Sequence, residues 1–206
     1  RANRAIDDIC RAYRLPCISG KDSMKNDATL NGEKISVPPT ILFSLIGNHP
    51  DVRKAVSSDF KSPGDAIYVL GETHQELGAS ELAFMLSDDG PGGIGGAIPE
   101  IDASRNLAMY RALTSAMHQS LVRSAHDCSD GGLATSLAES CFGSDSGAEV
   151  KIDSLWEDCK DLDNWGALFG ESLGRILVSV RQSDRLAFEQ AMAGHACHHL
   201  GTVSNG

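Results

Sequence analysis

His126-Asp127-Cys128-Ser129-Asp130-Gly131-Gly132-Leu133 runs directly into an apolar-periodic segment, and the reading of that junction organises the rest of the chain. Leu133, Leu137 and Cys141, flanked by Ala134, Ala138 and Phe142, recur at i, i+4, i+8 and predict a helix over 133–142 with one buried stripe. The loop ahead of it therefore ends on a helix N-terminus, with Asp130 or Ser129 as the expected N-cap. Gly131 and Gly132 carry no Cβ, so phosphates can approach their N–H groups and the positive end of the helix dipole. Asp127, two residues ahead of Ser129, suits a divalent cation shared with those phosphates, because Mg²⁺ takes few carboxylates and keeps phosphate oxygens. The same residues also suit a plain capped turn.

Outward from this junction, helix and strand signals alternate. Leu107, Ala108, Tyr110, Leu113, Met117 and Leu121 predict a long helix over 104–122, and Leu77-Gly-Ala-Ser-Glu81 opens a shorter one running to Leu86. Ala66–Leu70 is a continuous apolar strand, introduced by the turn cluster Lys61-Ser-Pro-Gly-Asp65, which marks the expected domain boundary. Strands are expected at 148–152, 175–180 and 198–203, and a helix at 183–192. This alternation over 64–206 indicates a layered α/β domain, a mixed sheet flanked by helices. Between two of its elements lies Leu168-Phe-Gly-Glu-Ser-Leu-Gly-Arg175, where glycines on both sides of Glu171-Ser172 permit close backbone approach. Glu171 there either binds a ligand hydroxyl or ammonium, or pairs with Arg175 four residues on. Gly90–Gly96 reads as a connection rather than a phosphate loop, since no strand feeds it. His195-Ala-Cys-His-His199 leads into an alternating strand and is read as structural rather than metal-binding.

Upstream, residues 3–14 form a helical stripe that Leu15-Pro16 stops, and Cys17-Ile18 is a short strand. It feeds Ser19-Gly20-Lys21-Asp22-Ser23-Met24-Lys25-Asn26-Asp27, a polar loop in which Lys21 can neutralise phosphate and Ser23 can hydrogen-bond it. This is not a Walker A loop, because Pro16 stands where its first glycine belongs. Asn31-Gly32 is a hairpin tip, 35–47 a long strand interrupted by Pro38-Pro39, and 51–56 a short helix.

The 206 residues, 41% hydrophobic and 22% charged, have ordinary globular composition and allow one large domain, or one domain and a fragment. A net charge of −10 without a basic cluster argues against nucleic-acid binding. No apolar run approaches a membrane span, so a water-soluble chain is expected. Six cysteines without a C-x-x-C pair fit reduced thiols of a cytoplasmic protein. The opening residues, amphipathic and without Met, suggest a start partway through a larger polypeptide.

Four clusters occur in order: Ser19–Asp27, Leu77–Glu81, His126–Leu133 and Leu168–Arg175. Together they resemble the second half of phosphoribosylformylglycinamidine synthase, in the superfamily of aminoimidazole ribonucleotide (AIR) synthetase. The resemblance implies an AIR synthetase-like fold, with 1–60 ending an N-terminal lobe and 61–206 forming a C-terminal α/β lobe. It implies part of an ATP-dependent amidoligase of purine synthesis, which converts formylglycinamide ribonucleotide and glutamine-derived ammonia to formylglycinamidine ribonucleotide. ATP or ADP and Mg²⁺ are the implied cofactors. The remaining synthase half and a glutaminase domain or subunit are the implied partners. By motif match Asp127 is the implied metal ligand, and Gly20, Ser129, Gly131 and Gly132 nucleotide contacts. Lys21 and Ser23 are the implied catalytic residues, and Ser23, Glu171 and Ser172 the substrate contacts. Lys21 stands where small family members carry a metal-binding Asn, so phosphate contact is implied there instead. A scaffold role with a nucleotide that is never turned over is the alternative. The related reactions of AIR synthetase, selenophosphate synthetase and thiamine-phosphate kinase fit Lys21-Asp-Ser-Met24 less well.

Overall fold

The structure, a computed structural model, describes residues 2–21, 27–36, 40–88 and 95–206. They divide into two units, Arg1–Val52 and Arg53–Gly206. In the first, helix α1 (Ala2–Tyr13) ends where Arg14 turns to φ 56° ahead of Pro16. Strands β1 (Ala28–Leu30) and β2 (Glu33–Ile35) pair antiparallel across Asn31 and Gly32, both at positive φ, as a two-residue hairpin turn requires. Two sequence expectations fail in this unit. Cys17-Ile18 is not a strand, and of the long strand expected over 35–47 only Ile35, among the described residues, is in one. Residues 40–47 have no regular structure, Leu42 and Ile46 are 88% and 95% exposed, and 37–39 lie outside the described residues. The apolar character is there, but a strand also needs a neighbour to take its backbone hydrogen bonds. The helix expected over 51–56 is a 3₁₀ turn at Val52–Lys54.

The second unit is built on β3 (Ala66–Leu70), whose residues are all buried. After it come α2 (Glu81–Leu86), α3 (Ala103–His118), β4 (Val122–Asp127), α4 (Gly132–Phe142) and β5 (Ser146–Val150). Helix α5 (Asn164–Phe169), β6 (Ile176–Val180), α6 (Arg185–Ala191) and β7 (Cys197–Asn205) complete it. The sheet order is β4-β6-β3-β7-β5, and every neighbouring pair is antiparallel. The helix-flanked layered architecture is as expected, but the sheet is antiparallel rather than mixed. β3, β4 and β5 share one direction; β6 and β7, themselves joined through α6, are threaded between them in the opposite one. Strand–helix alternation in a sequence does not reveal such interleaving.

Side-chain alternation on β3 divides the core in two. Ile67 and Val69 face one layer with Leu133, Leu137, Leu155, Ala167 and Leu177. Ala66, Tyr68 and Leu70 face the other with Met109, Leu113, Val180, Phe188 and Met192. A strand covered on both faces reads as an unbroken apolar run, which is why 66–70 was legible. The helix expected to reach Val122 stops at His118, because Ser120 adopts φ 60° and Val122 begins a strand. The apolar spacing through Leu121 masks that change of period. Leu133 is fully buried in the layer that holds Ile67, Val69 and Leu177. Leu133→Ala is expected to lower stability by about 2–5 kcal/mol. Urea unfolding followed by tryptophan fluorescence measures this, and an unchanged midpoint would refute the packing described.

Candidate functional site

β4 ends at Asp127, and α4 begins at Gly132. The helix is capped by neither Asp130 nor Ser129. Its N-cap is Gly131 in the left-handed region, with no side-chain hydrogen bond to the first turn. A carboxylate from elsewhere in the chain takes over: Glu171 Oε1 accepts the N–H of Gly131 at 2.9 Å. The same oxygen accepts the N–H of Glu81 at 2.9 Å, at the start of α2, where Ser80 is the N-cap. Three of the sequence clusters thus converge on one carboxylate, which answers the positive ends of two helices. Glu171 does not pair with Arg175. That guanidinium, 1% exposed, donates to Thr73 Oγ1, to the Ser172 carbonyl and to the Gly170 carbonyl.

The glycine pair is needed for the chain's own packing. Gly131 and Gly132 have φ of 78° and 67°, and a Cβ on Gly132 would lie 2.5 Å from the Gly170 carbonyl oxygen. The close approach foreseen for a phosphate is made here by the 168–170 backbone. The Gly132 N–H is bonded to the Ser129 carbonyl at 3.0 Å.

Asp127 is anchored through its backbone, whose carbonyl accepts the Ser136 hydroxyl at 3.0 Å, while its side chain is 74% exposed. The Ser129 hydroxyl donates to Asp127 Oδ2 and, with the His126 imidazole also nearby, holds the carboxyl below its ordinary pKa. Asp127, Ser129, Asp130 and Glu171 line one cavity of about 450 Å³, with Gly78 and Arg175 among the other wall residues. Ser172 faces elsewhere. Buried at 2% exposure, its hydroxyl accepts the His74 N–H at 3.0 Å and borders a second cavity of about 440 Å³. The expected substrate pair therefore divides between two cavities. Gly20 and Lys21 are exposed in the first unit, and Ser23 lies outside the described residues.

Sequence reasoning missed Tyr110, read only as helix stripe, whose hydroxyl donates to the Gly174 carbonyl at 3.3 Å and whose side chain lines the first cavity. It also missed Glu76, in a stretch without periodicity. The histidine run separates along β7: His198 Nε2 is 3.0 Å from the Asp158 carboxylate, and His199 meets the Tyr68 ring edge-on at 5.1 Å. Among the described residues no group of three or more His, Cys, Asp or Glu forms a metal site.

Two outcomes test this geometry. Glu171→Ala leaves the Gly131 N–H without its acceptor and should cost about 1–3 kcal/mol. Amide exchange should show faster opening of the first turn of α4, and unaltered protection there would contradict the capping role. For His198, the hydrogen bond to Asp158 raises the pKa above the ordinary value of about 6.5. Its stabilisation is complete below that ordinary value and is lost as pH rises through the raised one. The melting temperature should fall over that interval, and His198→Gln should flatten the fall; an identical pH profile in the variant would exclude the pair as its source.

Residues 62–206 match the family model "AIR synthase related protein, C-terminal domain". The chain is 34% identical over 198 residues to phosphoribosylformylglycinamidine synthase subunit PurL of Limosilactobacillus fermentum, a match covering 96% of this chain and 24% of that protein. Thermotoga maritima PurL complexed with FGAR superposes with a TM-score of 0.63 at 20% identity, over 75% of this chain and 26% of that one. The same protein complexed with ATP gives 0.54 at 17%, over 75% and 24%. At such identities these likenesses speak for the fold. The chain spans about a quarter of the length of these relatives. No described helix is long and apolar enough to cross a membrane. With its family model matched across the whole sheet and both helical layers of the second unit, the chain belongs to the AIR synthase related protein family.

Proposed function

We propose that this chain is part of an ATP-dependent amidoligase of purine biosynthesis. The enzyme converts formylglycinamide ribonucleotide and glutamine-derived ammonia to formylglycinamidine ribonucleotide in the cytoplasm. Residues 1–60 end its N-terminal lobe, and 61–206 form its C-terminal lobe. The remaining synthase half and a glutaminase domain or subunit supply the rest. Support comes from the likeness to PurL along nearly the whole chain and from relatives whose structures hold FGAR and ATP.

One observation carries the assignment of this site: Asp127, Asp130 and Glu171 put three carboxylates on the wall of a single cavity. Arg175, the cation beside them, gives three of its five N–H donors to chain oxygens. Such a wall repels a bare phosphate, so a nucleotide enters it only with a divalent cation between. The donor set fits Mg²⁺ in that role. Asp127 is ionised and exposed, and a single carboxylate leaves most of the octahedron to phosphate oxygens and water. The metal would neutralise phosphate charge at this wall.

The chain's own residues position the ligand. Ser129 orients the Asp127 carboxylate through its hydroxyl and contacts the nucleotide. Gly131 and Gly132 let the loop turn tightly beside it, and the Gly131 N–H passes to phosphate only when Glu171 releases it. Lys21 and Ser23, with Gly20, act in the polar loop of the first unit on phosphate and substrate. Glu171 and Ser172 contribute to substrate binding from the 168–175 segment. In the reaction an amide oxygen becomes a phosphate leaving group, so catalysis rests on positioning and charge neutralisation.

In the full-length synthase, Asp127→Asn should lose nucleotide affinity and its Mg²⁺ dependence together, and with them the stabilisation that a ligand specific to the folded state confers. Calorimetric titration of ADP with and without Mg²⁺ reads both. Equal affinity and equal metal dependence in the variant would return Asp127 to a turn residue.

A further inference from the structure

Four of the six cysteines serve the core. Cys128, Cys141 and Cys159 lie in or against one layer, and Cys197 packs against the other. Cys10 and Cys17 belong to neither, and the backbone of the first unit brings them together. Helix α1 closes as a Schellman turn: the Arg14 N–H donates to the Arg11 carbonyl at 3.2 Å, and the Leu15 N–H to the Cys10 carbonyl at 2.9 Å. Arg14 takes the left-handed conformation this closure requires, at φ 56°. Pro16 cannot extend the helix, so the chain folds back along it and sets the Cys17 Sγ 3.5 Å from the Cys10 Sγ. Cys17 is exposed and Cys10 half-buried, and both are free thiols.

We propose that Cys10 and Cys17 form a thiol–disulfide exchange site, closed to an intramolecular disulfide by a small-molecule disulfide and reopened by a thiol reductant. The hydrogen bond with Cys17 pushes the Cys10 thiol up from its ordinary value, and Cys17 is the more exposed of the two, so Cys17 attacks first. Its thiolate bonds to one sulfur of the small disulfide and expels the other as a thiolate, leaving a mixed disulfide on Cys17. The Cys10 thiolate then attacks the Cys17 sulfur, forming the Cys10–Cys17 bond and expelling the second small thiolate. The two cysteine sulfurs are oxidised by two electrons in total, the small disulfide is reduced to two thiols, and those thiols take up the two cysteine protons. The sulfurs need approach by only roughly 1.5 Å more, and 15–21 have no regular structure to resist it. The bond ties the end of α1 to the segment that enters Gly20 and Lys21. It is independent of the amidoligase reading, since only the two sulfurs and the small disulfide take part.

The test equilibrates the 206-residue chain with graded ratios of oxidised to reduced glutathione, alkylates the remaining thiols and digests with trypsin without reduction. Arg11 and Arg14 lie between the two cysteines, so the disulfide joins two separate tryptic peptides, Ala5–Arg11 and Leu15–Lys21. Mass spectrometry should find them linked, two hydrogen atoms lighter than their sum, and released by dithiothreitol. Half-linkage in the folded chain should need at least about tenfold less oxidised glutathione than in denaturing urea, because the turn holds the sulfurs together. In Cys10→Ser the mixed disulfide on Cys17 has no resolving thiol and should accumulate. Recovery of both peptides unlinked at the oxidising end of the series, each alkylated or each carrying its own glutathione, would overturn the proposal. So would equal linkage in folded and unfolded chain, which would reduce the pair to neighbours in sequence. Cys17 left alkylated in Cys10→Ser would overturn its part as the attacking thiol.

Discussion

The buried guanidinium of Arg175 is the constraint on which the functional end of the domain depends. At 1% exposure it is the largest fully buried side chain in the described structure, and burial pulls its pKa down against the field of the surrounding groups. A charge in that position needs hydrogen-bond acceptors, and Thr73 and the carbonyls of Gly170 and Ser172 take three of its N–H groups, one from each nitrogen. Its own carbonyl accepts the Cys128 N–H at 3.0 Å. One residue thereby fixes the 71–76 segment, the 168–175 segment and the chain just after Asp127. Glu171 can answer two helix termini at once because Arg175 has set the backbone on either side of it.

This explains which parts of the site could be read from sequence. The apolar run 66–70 and the stripe Leu133-Leu137-Cys141 were legible because burial on a strand or helix face imposes a period. The clusters at 77–81, 126–133 and 168–175 stood out by their glycines and polar residues among apolar neighbours. Their mutual contacts were not legible. The spacing of Glu171 and Arg175 invited a local ion pair, whereas the structure sends the carboxylate to Gly131 and Glu81 and the guanidinium to Thr73, partners 40, 90 and 102 positions away. Glycine chemistry was similarly ambiguous. Gly132 needs the absence of a Cβ, and sequence cannot say whether a ligand or the Gly170 carbonyl fills the space.

Nor could the sequence disclose the second cavity. Glu76 lies in a loop with no periodicity, and its bonds to the N–H groups of Glu100 and Glu171 are ones only coordinates reveal. The two cavities lie on either side of 171–175: Glu171 and Arg175 border one, Ser172 the other, and Leu173 both. A strap fixed so firmly by Arg175 separates two acidic spaces.

The sheet topology accounts for why all of this gathers at one end of the domain. β3 and β4 run in the same direction with β6 inserted between them, so Ile176, the first residue of β6, pairs with both Leu70 and Asp127, the last residues of its neighbours. Cys197, which opens β7, pairs with Leu70 from the other side. The ends of two strands and the beginnings of two others therefore meet along one edge. The segments leaving β3 and β4 must cross those entering β6 and β7. Had β6 paired at the outside of the sheet, 168–175 would sit a strand's width or more from Asp127, and no carboxylate could reach both Gly131 and Glu81. Antiparallel insertion, which the helix–strand alternation concealed, is thus what turns three separated polar clusters into a single site.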